Sequence, residues 1–205
     1  MLLLIILLNG CTRLHLTEYE AQPFDYYAYS QVKDGLAVAI NPFTDEKKVI
    51  KSFGADLLSV DIFPVFVVVE NRTSSSSFIL SREGFSVRGT GVRPRDDLGR
   101  FDLIFDLIDD LKDWPRSVTF MPIPRNHEAL IPATIKSKAD IRMIQQNFVT
   151  KELQSKELPP GNVTNGFVYF HAPIQYYVSD RWIIHLEITD MRSKESIIFD
   201  IPFEL

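Results

Sequence analysis

Three sets of side chains in this chain have the type and spacing to do chemistry. The first is a single thiol, Cys11, which directly follows Leu8-Asn9-Gly10 at the end of the apolar run 2–8. The second is four arginines, Arg88, Arg93, Arg95 and Arg100, with Gly89 and Gly91 among them. The third is five aspartates, Asp102, Asp106, Asp109, Asp110 and Asp113. A lone thiol forms no intramolecular disulfide, and the C-x-x-C spacing of zinc sites and redox pairs is absent.

Guanidinium groups bind phosphate and carboxylate in bidentate fashion. The glycine-interrupted arginine stretch is therefore a possible anion contact, for a lipid headgroup or an acidic polysaccharide. A flexible basic loop is the favoured reading, and the anion contact the alternative. The Walker pattern G-x-x-x-x-G-K-[ST] is missing, and so is the third glycine of the dinucleotide fingerprint. The aspartates lie opposite apolar residues at 98, 101, 104, 105, 108 and 111, the spacing of an amphipathic helix over 98–112. Calcium loops set their ligands at alternate positions around a glycine, so a solvated acidic face is the expectation. His127-Glu128 lacks the second histidine of H-E-x-x-H, because position 131 is Ile. His185 and Glu187 share one strand face without a third ligand. No metal and no cofactor is expected.

The bulk composition is that of a folded globular chain: 205 residues, 45% hydrophobic and 24% charged. That length suits one large β domain, or one domain with an insertion. Net charge is −5. An acidic balance without a basic stripe argues against nucleic acid as a partner.

Seven apolar residues are too few to cross a bilayer core, which takes about 20. They match the apolar region of a secretory signal. With that run before it, Leu8-Asn9-Gly10-Cys11 resembles the lipobox of bacterial lipoproteins. The resemblance implies a diacylglycerol on the Cys11 sulfur, cleavage before Cys11 with Leu8 and Gly10 read by the processing machinery, and acylation of the new amine. Two or three acyl chains, at about 0.8 kcal/mol per buried CH₂, hold a protein stably where one does not. Two features depart from the pattern. Asn9 is unusual at its position, and no Lys or Arg precedes the apolar run, which points to a start upstream of Met1. Thr12, in place of an aspartate, leans towards the outer membrane in a cell that has one. The polar and aromatic residues 12–34 read as a tether, with a tyrosine cluster packing on the domain edge.

The elements that would position these groups are mostly strands. Residues 63–71, Phe-Pro-Val-Phe-Val-Val-Val-Glu-Asn, form the longest β-branched run and are apolar on both faces. They read as a central strand covered by a second sheet, or by a sheet and a helix. Before them come a strand over 36–40 and a helix opened by Thr44 or Asp45, with Val49, Ile50 and Phe53 apolar and Gly54 ending it. Short strands follow at 78–80 and 85–87. Residues 117–120 are a further strand, and a second helix spans about 135–153. The last third carries strands at 162–170, 182–188 and 196–201. Asn71-Arg72-Thr73 opens a serine-rich loop and matches a glycosylation pattern that a bacterial lipoprotein does not normally use.

Leu158-Pro159-Pro160-Gly161 with Gly166-Phe167-Val168-Tyr169-Phe170, and Phe53-Gly54 with the 64–71 strand, resemble extracellular immunoglobulin-like domains of bacterial lipoproteins. The expected fold is therefore mainly β, an immunoglobulin-like β-sandwich of about seven strands with a helical insertion. Residues 1–10 are the signal peptide, 11–34 the lipidated N-terminus and tether, and 35–205 the sandwich, with the insertion at 89–149. The expected function is non-enzymatic: an envelope protein, held to the membrane by lipid, that binds or scaffolds a protein partner through the insertion. Two alternatives stay open. One is an envelope hydrolase with an unrecognised site. The other is a protein that lies on the membrane surface through the 98–112 helix.

Overall fold

The computed structural model describes residues 19–94, 117–123, 138–172, 174 and 177–205. The lipobox, Arg95, Arg100, the aspartate helix at 98–112 and His127 lie outside them. The described residues form strands β1 (Tyr29–Lys33), β2 (Leu36–Pro42), β3 (Ile62–Asn71), β4 (Phe78–Thr90), β5 (Arg93–Pro94), β6 (Ser117–Phe120), β7 (Lys156–Leu158), β8 (Val163–His171), β9 (Tyr177–Val178), β10 (Arg181–Asp190) and β11 (Ser196–Phe203). The helices are α1 (Glu46–Phe53) and α2 (Lys138–Lys151).

Two antiparallel sheets face each other. Sheet A has the order β1-β2-β3-β8, and sheet B the order β11-β10-β4-β6, with β7 also on β4. β5 and β9 form a separate two-stranded ribbon. Seven strands, β2-β3-β8 against β11-β10-β4-β7, reproduce the strand order of an immunoglobulin-like sandwich. β1 adds an N-terminal hairpin to that frame. β6, inside the expected insertion, extends sheet B by pairing Phe120 with Val87.

β3 is central, with β2 on one side and β8 on the other. Its register places Phe63 opposite Phe170, Phe66 opposite Phe167 and Val67 opposite Gly166. Alternation sends Phe63, Val65, Val67 and Val69 towards sheet B, where Phe63 stacks 5.9 Å from Phe203. Phe66 and Val68 point the other way. The first set meets Trp182, Ile184, Leu186 and Phe199 in the core between the sheets.

The opposite face of sheet A is covered by helices and not by a third sheet. There Phe167 lies 4.9 Å from both Phe43 and Phe53, and Phe53 stacks on Phe148 of α2 at 5.8 Å. Tyr19 sits edge-on to Phe66 at 4.6 Å. Pairs of this kind contribute about 0.5–1.5 kcal/mol each beyond burial. β3 is thus buried on both faces because it separates two apolar layers.

α1 begins where Asp45 accepts a hydrogen bond from the Lys48 N–H at 2.8 Å, and it ends at Gly54, whose φ is 77°. At 100° per residue an eight-residue helix presents one stripe inward. That stripe is Val49, Ser52 and Phe53, while Ile50, the third apolar position, is 40% exposed.

β4 also departs from expectation. The two short strands expected at 78–80 and 85–87 are one strand with a bulge, since Leu186 pairs with Phe85 but Ile188 pairs with Leu80. The extra residues, 81–84, loop out at Gly84, where a Cβ would stand 2.5 Å from the Glu187 carbonyl oxygen. The strand then continues through Thr90, so Arg88-Gly89-Thr90 is sheet and not the start of a basic loop.

Candidate functional site

The outward face of sheet B gathers the polar groups with the most chemical potential. Inward residues of β4, β10 and β11 are large and apolar, so the alternate positions must face out. The register places Ser86 of β4, His185 of β10 and Asp200 of β11 in one cross-strand row. His185 Nδ1 lies 2.7 Å from an Asp200 carboxylate oxygen. Such a contact orients the imidazole and leaves Nε2 as the second ring nitrogen. Ser86 is only 3% exposed, and its hydroxyl has no hydrogen-bond partner among the described residues. A buried unpaired hydroxyl costs about 1–3 kcal/mol, so its retention at this spot needs a reason.

Arg88, the first of the expected anion contacts, lies two residues along on the same face, half-buried between Ile183 and Thr119. Arg93 belongs to β5 and pairs with Val178 of β9. The structure therefore places Arg88 beside the serine–histidine–aspartate row and Arg93 in the separate ribbon, while Arg95 and Arg100 lie outside the described residues. The suspected His185–Glu187 pair does not form. His185 turns to Asp200, and Glu187 accepts from the Ser196 hydroxyl at 2.5 Å. His171 is exposed at the end of β8, opposite Ile62. Among the described residues no group of three His, Cys, Asp or Glu is placed to hold a metal ion.

A second feature lies on the other side of the molecule. A cleft of about 330 Å³ opens between the end of α2, β8 and the N-terminal segment, lined by Tyr19, Asn147, Thr150, Lys151, Glu152 and Asn165 among others. Its Glu152 carboxylate is held by Arg82, which projects from the β4 bulge, at 2.5 Å. Neither residue stood out in the sequence, because a Lys-Glu pair ending a helix reads as solvated. Asn71 was also missed as a structural group. It is fully buried, donates to the Ser76 and Leu158 carbonyls, and accepts from the Thr73 N–H and hydroxyl. Its side chain thus serves the loop and β7.

The chain is a mainly β, two-sheet sandwich with one helix-covered face. No protein-family model matches it, and no curated protein matches it. Two solved structures to which it is similar are a FixG-related protein from Vibrio parahaemolyticus and the ApaA protein from Bordetella pertussis. The first is 12% identical, covering 83% of this chain and 96% of that one, with a TM-score of 0.34. The second is 11% identical, covering 82% and 88%, with a TM-score of 0.33. No helix among the described residues is long and apolar enough to cross a membrane.

Proposed function

We propose that this protein is held to the cell envelope by lipid on Cys11 and binds or scaffolds a protein partner there without catalysing a reaction. The observation that carries this reading is the position of the only cysteine, directly after Leu8-Asn9-Gly10 at the end of seven apolar residues. The sandwich is the rigid frame, and the 89–149 segment, which adds β6 to sheet B and carries α2, is the contact surface. Radioactive palmitate should label the protein in cells, and Cys11→Ser should abolish both label and membrane pelleting. Label and pelleting that survive the substitution would sink the anchor. Cross-linking in intact cells then identifies the partner.

The Ser86–His185–Asp200 row favours a second reading, an envelope hydrolase. Asp200 would orient the imidazole; Ser86, once uncovered and brought within reach of His185, would pass its proton to the imidazole and attack an ester or amide carbonyl. The alcohol or amine would leave with that proton, and water would then release the acyl group from Ser86. A fluorophosphonate probe should then label the full chain, and Ser86→Ala should abolish the label. Absence of labelling in the unmodified protein removes this reading.

A further inference from the structure

We propose that the α1–α2 face of the domain lies against an anionic phospholipid surface, the one in which Cys11 is anchored. This rests on the lipid-anchor reading and adds an orientation and a lipid class to it. The first observation is where the folded domain begins. Tyr19 packs on Phe43, Phe66 and Phe167, on the helix-covered side of sheet A, and its hydroxyl accepts from the Asn41 amide. The chain is therefore pinned on that side at Tyr19, the first described residue.

Eight peptide steps separate Cys11 from Tyr19, a reach of at most about 28 Å. Helix layer and two sheets together make a slab roughly 25–30 Å thick. A tether of that length, leaving from the helix side, brings that side to the membrane. To present sheet B it would have to span the whole slab and also round its edge.

The second observation is charge. The chain carries a net −5, yet α1 with its cap holds Lys47, Lys48 and Lys51 against two acids, Asp45 and Glu46. Lys47 and Lys51 are exposed, one turn apart, with Ile50 between them at 40% exposure. Lys48 stands over the Phe43 and Tyr19 rings, 4.0 and 5.4 Å from their centres. On α2, Val149 is 52% exposed, Arg142 is exposed, and Lys151 reaches across to the Ser52 carbonyl at 2.6 Å. Cations around exposed aliphatic side chains, at the root of a lipid tether, are the composition of a surface that rests in the headgroup region.

The far side offers the control. Ile198 is 43% exposed on the outward face of β11, on the opposite side of the sandwich. The lipidated full-length protein, reconstituted in vesicles of phosphatidylethanolamine and phosphatidylglycerol, has no free thiol, so Ile50→Cys and Ile198→Cys each introduce one labelling site. A fluorophore at position 50 should be quenched several-fold more strongly by headgroup-attached nitroxide than one at position 198. Lys47→Glu with Lys51→Glu, or vesicles of phosphatidylcholine alone, should reduce quenching at 50 towards the level at 198. Equal quenching at both positions, or quenching at 50 that ignores charge reversal and lipid charge, overturns the proposal. A chain that carries no acyl mass on Cys11 instead overturns the anchor reading on which it stands.

Discussion

Arg82 and Glu152, seventy residues apart, meet in a charge-assisted hydrogen bond of 2.5 Å. Their side chains are only 10% and 4% exposed. The contact ties the β4 bulge to the chain leaving α2, and so ties sheet B to the helical layer. A buried charge that loses its partner costs about 3–5 kcal/mol, while replacing both partners with apolar groups is far milder. Glu152 keeps a further contact, so Arg82→Met should lower unfolding stability by about 1.5–3 kcal/mol, less than that full cost, and Arg82→Met with Glu152→Leu should recover most of it. Urea unfolding midpoints of the two variants decide the matter.

At Gly166, β8 packs closely against the residues after α2. A Cβ there would lie 2.6 Å from the Leu153 Cα and 2.7 Å from its nitrogen, both backbone atoms. Leu153 N–H also donates to the Phe167 carbonyl at 2.8 Å. Gly166→Ala should push that segment off the sheet, costing about 1–3 kcal/mol. Exchange protection of the Leu153 amide should fall in the variant, and unchanged protection would contradict the packing described.

Burial, with the nearby Glu152 carboxylate as a lesser cause, raises the Tyr169 phenol well above its ordinary value near 10.0. An acid with a raised folded value keeps its proton in the native state after the unfolded chain has released it. The native state then binds more protons, and stability falls as pH rises through and beyond about 10. Tyr169→Phe should flatten the alkaline limb of the stability–pH curve and leave the neutral plateau nearly unchanged. Chemical denaturation between pH 8 and pH 11, about the range over which phenols titrate, reads the difference.

Val67 is completely buried at the centre of β3, between Ile40 of β2 and Gly166 of β8. Val67→Ala should cost about 2–3 kcal/mol in lost transfer energy and cavity. By contrast Asp45→Ala removes only the α1 cap, worth about 1 kcal/mol. A thermal melt that ranks the two in the reverse order would argue against β3 as the centre of the core.

Much of the frame was legible in the sequence because its signals are local. The β-branched run at 63–71, the Asp45 cap, the Gly54 stop, and the alternation of Trp182, Ile184, Leu186 and Ile188 each report on a few neighbouring residues. A side chain's face follows from strand period 2, so the two-sided burial of β3 could be read in advance. The candidate site was legible only in fragments. Arg88 and His185 stood out by type. Ser86 and Asp200 did not, since an isolated serine and an isolated acid on strands look like ordinary surface.

The sequence by itself determined that this is a mainly β chain with a long two-faced central strand, a capped helix and a lone cysteine after an apolar run. Hydrophobic periodicity and backbone preferences are properties of short stretches. Only the tertiary structure decided which strands are neighbours, and with that what each side chain meets. Pairing set His185 against Asp200 and not Glu187, carried the Arg82 bulge to Glu152, and placed Tyr19 on the helix side of sheet A. Those are contacts across 15 residues or more. They arise from strand register and layer packing, which no local pattern encodes.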